Sequence, residues 1–195
     1  MEKYYSLQKL NIKTGEIEIQ KSRFLGFAKY IDNVEDATNF IKQIKQQYKD
    51  ARHIVYGYIT NRVQKSTDDG EPSGTAGKPI LEYLLHSNIN NIVVVVVRYF
   101  GGIKLGTGGL CRAYVGAVKQ TLENNLLEYV QANKYCLKLN YKEYQSFLSF
   151  CKNKDIKITN TQFLEDVVVE FVAFKDYSYN IEAQHLGQVY ETMGE

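Results

Sequence analysis

Arg98-Tyr99-Phe100-Gly101-Gly102-Ile103-Lys104-Leu105-Gly106-Thr107-Gly108-Gly109-Leu110-Cys111-Arg112, entered through the run Ile92-Val93-Val94-Val95-Val96-Val97, decides how this chain is read. Six consecutive β-branched residues are too few for a buried helix and show no polar alternation. They read as a central strand covered on both faces. Gly101, Gly102, Gly106, Gly108 and Gly109 follow, and then a helical pattern resumes. A buried strand that feeds a glycine-rich turn and then a helix is an anion-binding arrangement: glycine lets backbone N–H groups converge, and the helix start adds unpaired donors and the positive end of its dipole. Arg98, Lys104 and Arg112 flank the turn, so the phosphate- or RNA-binding candidates are these three cations with the five glycines. The competing reading is a tight connection bordered by solvated charges.

Two familiar phosphate loops fail on single positions. Gly101 to Gly106 has P-loop spacing, but Thr107 stands where a lysine should reach the phosphates. Gly106 and Gly108 fit a dinucleotide fingerprint until its third glycine, which falls on Cys111.

A second unusual stretch runs from Asp68-Asp69-Gly70-Glu71-Pro72-Ser73 through Gly74-Thr75-Ala76-Gly77-Lys78-Pro79. Its Asp-Gly and Pro-Ser-Gly steps are turn chemistry. Asp68, Asp69 and Glu71 also offer the carboxylate oxygens that magnesium takes, which keeps a metal-assisted phosphate-ester hydrolase open as an alternative. Asp69, Glu71, Ser73, Thr75 and Lys78 form the secondary set of candidates. Residues 68–79 and 101–109 both adjoin the central strand and are expected on one surface.

These two blocks, Asp69 to Pro79 and Val96 to Tyr114, resemble the signature of the IMPACT/YigZ family. The resemblance is strong over roughly residues 17 to 128 and follows the remainder only in overall plan. It implies an α+β chain of two domains. The N-terminal one would be similar to the second domain of a small-subunit ribosomal protein and to domain IV of elongation factor G, and the C-terminal one ferredoxin-like. In eukaryotic members it implies regulation of translation, through the activator of the general-control kinase.

The composition fits a globular protein. Of 195 residues 44% are hydrophobic and 24% charged, enough for two small cores. Residues 1–130 carry 17 Lys and Arg, including all five arginines, against 13 Asp and Glu; residues 131–195 carry 7 against 9. This basic bias is modest beside that of a dedicated nucleic-acid domain. The start lacks an apolar leader region and no run approaches the ~20 residues of a membrane span, so a cytoplasmic protein is expected. Cys111, Cys136 and Cys151 lack Cys-x-x-Cys spacing, and neither a structural metal nor a cofactor is expected.

In chain order, strands are expected at Glu16 to Gln20 and Phe24 to Ile31. A helix capped by Asn33 follows, its apolar face formed by Val34, Ala37, Ile41, Ile44 and Tyr48. His53 to Thr60 reads as a strand with Arg52 and His53 at its start, His53 being an ordinary strand-end polar residue. Ile80, Leu81, Leu84 and Leu85 form the stripe of a short helix, and Cys111, Val115, Val118, Leu122 and Leu126 that of a long one. Ala132-Asn133 is read as the linker between domains 1–131 and 132–195. Beyond it a strand, a helix capped by Asn140 with Tyr144, Leu148 and Cys151 buried, two strands, a helix over Asp176 to Leu186 and a last strand make a βαββαβ order.

The residues therefore favour a translation-associated binding protein that contacts phosphates of RNA or the ribosome, with a protein of the translation machinery as a further possible partner and no membrane. A protein-docking module without nucleic acid is the other alternative; it requires an exposed apolar patch at Tyr99, Phe100 and Ile103.

Overall fold

The computed structural model describes residues 2–60, 62–152, 154–175, 177, 179 and 181–193. The chain divides into two compact units, one of Tyr5–Leu127 and one of Met1–Tyr4 with Glu128–Glu195. Strand β1 (Lys3–Ser6) opens the chain. Then come β2 (Ile12–Ile19), β3 (Ser22–Tyr30), helix α1 (Val34–Gln47), β4 (His53–Ile59), β5 (Gln64–Thr67), α2 (Gly77–His86), β6 (Ile92–Tyr99) and α3 (Gly106–Leu122). The remainder is β7 (Leu127–Leu139), α4 (Tyr141–Cys151), β8 (Ile156–Phe163), β9 (Val167–Ala173) and β10 (Gln184–Thr192). Both helices and strands build each unit, giving a mixed α+β architecture.

The larger unit is an antiparallel sheet of order β2-β3-β6-β4-β5. β6 lies at its centre, and every residue from Ile92 to Val97 is fully buried. Burying side chains of this kind stabilises by roughly 1.5–3 kcal/mol each, so β6 is the principal hydrophobic element of the unit. Val93, Val95 and Val97 pack with Phe27, Ile54 and Tyr58 against Ala37, Phe40, Ile41 and Ile44 of α1. The opposite face carries α2, through Ile80 and Leu84, and α3, through Ala113, Tyr114, Ala117 and Val118.

Local chemistry explains the element ends. Asn33 caps α1 by accepting the Asp36 N–H at 2.9 Å, and the Asp36 carboxylate accepts the Asp32 N–H at 3.1 Å. The β2–β3 hairpin turns on Gln20 and Lys21, both in the left-handed region (φ 48° and 65°), as a twist-matched two-residue turn requires.

Several helix faces differ from the sequence reading. Val34 is exposed and Phe40 takes its place in the α1 core; on α2, Leu85 is exposed and Leu81 only partly buried. The buried face of α3 is Leu110, Ala113, Tyr114, Ala117, Val118, Thr121 and Leu122, rotated from the expected stripe; Cys111 and Val115 are half-buried and Leu126 lies beyond the helix. Alanines and a threonine let α3 sit close to the sheet, and such residues are inconspicuous in a stripe of large apolar side chains.

In the second unit β7 is flanked by β9 and β10, with β8 outside β9, all antiparallel, while β1 also joins β7. α4 covers a core of Leu137, Leu139, Val167, Val169 and Phe171. The fully buried residue of α4 is Phe147, with Tyr144, Leu148 and Cys151 half-buried. Burial pushes the Cys151 thiol up to about 11, so it stays protonated at neutral pH. Asn140 and Glu143 form a reciprocal capping box, as expected. Two expectations are corrected. Ala132 and Asn133 are not a linker but lie within the thirteen-residue strand β7. The helix expected over 176–186 is not formed at its described positions: 177, 179 and 181–183 are outside any helix, and Gln184, His185 and Leu186 belong to β10, which pairs with β7; positions 176, 178 and 180 lie outside the described residues. Among the described residues no helix is long and apolar enough to cross a membrane.

Candidate phosphate-binding cleft

The loop between β5 and α2 is held by its own carboxylates. Asp68 accepts the N–H groups of Gly74 at 2.8 Å, Ala76 at 3.0 Å and Gly77 at 2.8 Å, so it caps α2 from a distance where the Ala76 methyl offers no acceptor. Asp69 accepts the Ile54 N–H at 2.7 Å and pairs with Lys45 at 3.3 Å. Glu71 is buried, and its Oε1 accepts from Arg98 Nη1 and from the Tyr114 hydroxyl, each at 2.7 Å. Burial, followed by the Glu71 contact, drives the Tyr114 hydroxyl far above its ordinary pKa. Each carboxylate thus serves the fold, and among the described residues no three His, Cys, Asp or Glu side chains group as metal ligands. Asp68→Ala should cost about 1–3 kcal/mol by orphaning these N–H groups, read from denaturant melts. An unchanged midpoint would deny Asp68 its capping role.

The glycine turn behaves position by position. The Gly101 N–H donates to Ser22 Oγ at 3.1 Å, and a Cβ built on Gly101 would overlap the backbone of Lys21 and Ser22. Gly101 is therefore a packing residue and not a phosphate donor. Gly102 has φ +87° and faces open space. Gly108 and Gly109 lie in the first turn of α3, outside the positive-φ region. Alanine at Gly102 should cost about 1–2 kcal/mol for the left-handed backbone, whereas Gly108→Ala should be neutral or stabilise by up to about 1 kcal/mol. Equal melting shifts for the two variants would contradict this assignment. Of these two glycines only Gly102 needs the left-handed backbone; Gly108 is an ordinary helix residue.

Helix α3 begins at Gly106 after Leu105, which provides no side-chain cap, so the helix start presents unpaired N–H donors. It opens on a cleft of about 430 Å³ lined by Arg52, His53, Glu71, Pro72, Arg98, Phe100, Lys104, Leu105, Gly106, Thr107 and Leu110. Residues from the 68–79 loop and the 101–109 turn thus meet in one cavity. Arg98 is not the exposed cation expected: it is 6% exposed, pairs with Glu71, and its guanidinium lies 5.4 Å from the Phe24 ring centre and 5.6 Å from that of Phe100. Its Nε is buried and has no hydrogen-bond partner among the described residues. Lys104 and Arg112 are exposed, with an Arg112 Nη 3.5 Å from where a Gly108 Cβ would stand.

Among the secondary candidates only Glu71 lines the cleft. Asp69 faces Ile54 and Lys45, Thr75 is buried with its hydroxyl on the Pro72 carbonyl, Ser73 is exposed, and Lys78 pairs with Glu82 along α2. Arg52 and His53 are cleft residues that the sequence reading left as strand-end positions. The signal for them was indirect: His53 pairs in register with Arg98 across β4 and β6, so the start of β4 lies beside the glycine turn. Phe100 and Ile103 are exposed at 51% and 45%, while Tyr99 is half-buried and donates to Asp50.

Comparison with known proteins places this geometry in a family. The Impact N-terminal domain matches residues 20–122, from the β2–β3 turn to the last residue of α3. The chain is 46% identical over 110 residues to IMPACT family member YigZ of Escherichia coli strain K12, covering 54% of each protein. It is 46% identical over 112 residues to IMPACT family member YvyE of Bacillus subtilis strain 168, covering 56% of this chain and 52% of that protein. The matched segment thus spans about half the length of these curated relatives. A crystal structure described as that of a hypothetical protein superposes with a TM-score of 0.62 at 34% identity, covering 89% of this chain and 86% of the other. With the 68–79 loop, the central strand, the glycine turn and α3 all inside the matched domain, the chain belongs to the IMPACT family.

Proposed function

We propose that this chain is a cytoplasmic, translation-associated binding protein that holds a phosphate of structured RNA, on the ribosome or free, at the start of α3. One observation carries the reading: the uncapped N-terminus of a seventeen-residue helix opens on the same cleft as Arg52, Lys104 and the buried guanidinium of Arg98. The donors point where an anion would sit, and the cations add the charge that draws a polyanion. Phe100, half-exposed at the rim, offers a face on which a base stacks. The translation context comes from the eukaryotic members of the family. The order β10-β7-β9-β8 supports a ferredoxin-like reading of the C-terminal unit.

Affinity for single-stranded RNA should fall with salt. Replacing Arg52, Lys104 and Arg112 by alanine should weaken binding and reduce the log–log salt slope by about 0.7 for each phosphate that is no longer neutralised. Arg98 is left intact because removing it would disturb the buried pair with Glu71. Identical affinities and slopes in folded wild type and variant would overturn the proposal. Exposed Phe100 and Ile103 favour a second reading, protein docking, which predicts RNA binding unaffected by the three substitutions and failure to bind a protein partner on Phe100→Ala.

A further inference from the structure

The cleft is rich in donors: Arg52, Arg98 and Lys104 can only donate, as can the N–H groups at the start of α3. Glu71 already accepts from Arg98 and Tyr114. His53 is different. Its Nδ1 lies 2.9 Å from the carbonyl oxygen of Asp69, and a carbonyl only accepts, so Nδ1 carries the proton of this contact. In the neutral ring Nε2 is then left with its lone pair, and among the described residues it has no hydrogen-bond partner.

The contact is braced from both sides. The Asp69 N–H donates to Thr67 Oγ1 at 3.2 Å, and its carboxylate accepts the N–H of Ile54, the residue after His53, at 2.7 Å. Loop and strand therefore fix each other, and the imidazole is held as an acceptor in a pocket otherwise suited to anionic oxygens. A ligand that fits both features carries a phosphate and, within a few ångströms, a hydroxyl that donates. A ribonucleotide unit has this combination through its 2′-hydroxyl, and a deoxyribonucleotide lacks it.

We infer that His53 accepts a hydrogen bond from a ribose 2′-hydroxyl and is a residue by which this cleft distinguishes RNA from DNA. The inference rests on the phosphate-binding reading above and adds the sugar to it. It is tested on the full chain with a short single-stranded RNA, its all-deoxy counterpart with the same bases, and its 2′-O-methyl counterpart. Wild type should prefer the RNA over both by roughly 3- to 10-fold, the worth of one hydrogen bond. His53→Phe, which keeps the ring shape but removes Nε2, should bind the three oligonucleotides with equal affinity; His53→Gln, which returns an acceptor near Nε2, should restore most of the preference for RNA. Equal wild-type affinity for the three oligonucleotides, or a preference retained in His53→Phe, would overturn the role of His53 while leaving phosphate binding intact. No binding of any of them would overturn both readings. Equal affinities on wild-type protein overturn the inference even where His53→Phe fails to fold, and His53→Gln, tested against the same three oligonucleotides, then carries the assignment.

Discussion

Replacing Glu71 by alanine should lower the stability of the N-terminal unit by about 3–5 kcal/mol, more than the loss of either Asp68 or Asp69 from the same loop. The reason is the company Glu71 keeps. Arg98 is 6% exposed and Glu71 8% exposed, so removing the carboxylate leaves a guanidinium out of water without its counter-charge, and Tyr114 without an acceptor. A second comparison isolates the cause: changing Glu71 to leucine together with Arg98 to methionine should recover much of the stability, because a buried pair is often replaceable by apolar residues of similar volume. Denaturant melts read both variants, and a Glu71→Ala midpoint within experimental error of wild type would contradict the buried pair. Alkaline pH acts on the same cluster. The folded pKa of Tyr114 is raised, so its contribution is fully present below the unfolded tyrosine value of about 10 and is lost as pH rises beyond it.

Valine at Gly101 should be damaging for a different reason. Its Cβ would overlap the backbone of Lys21 and Ser22, and those atoms belong to the tight β2–β3 turn, which cannot move without disturbing the edge of the sheet. Overpacking of this kind costs about 1–3 kcal/mol, and displacement of the Gly101 N–H from the buried Ser22 hydroxyl adds to it. Gly108→Ala, seven residues on in the same glycine-rich stretch, serves as the control that should not destabilise. If the Gly101 variant melts with wild type, the close approach of the two turns is absent in solution.

The sequence revealed the parts whose signal is local. Ile92 to Val97 could only be a central strand, and Asn33 and Asn140 announced their helices by capping chemistry that needs no tertiary context. What depended on distant partners was hidden. Arg98 looked like an exposed cation because Glu71 lies 27 positions away and its carboxylate resembled an ordinary turn residue. The face of α3 was misjudged because Ala113, Ala117 and Thr121 pack tightly where a stripe of large side chains was sought. Arg52 and His53 join the cleft through the antiparallel register of β4 on β6, which residue order alone does not reveal. At the other end of the chain, the strand β10 begins at Gln184, within a segment whose sequence suggested a helix, and its pairing with β7 prevails over that local pattern.

The most direct test of phosphate binding at the start of α3 is the response of individual backbone amides to RNA. Titrating a short single-stranded RNA into the full chain should shift the amide resonances of Lys104, Gly106, Thr107 and Gly108 saturably, and added salt should reverse the shifts. The amides of Gly15 and Gly57, which belong to strands and do not line the cleft, should stay in place. Saturable RNA binding with the four amides at the start of α3 unmoved would contradict the account.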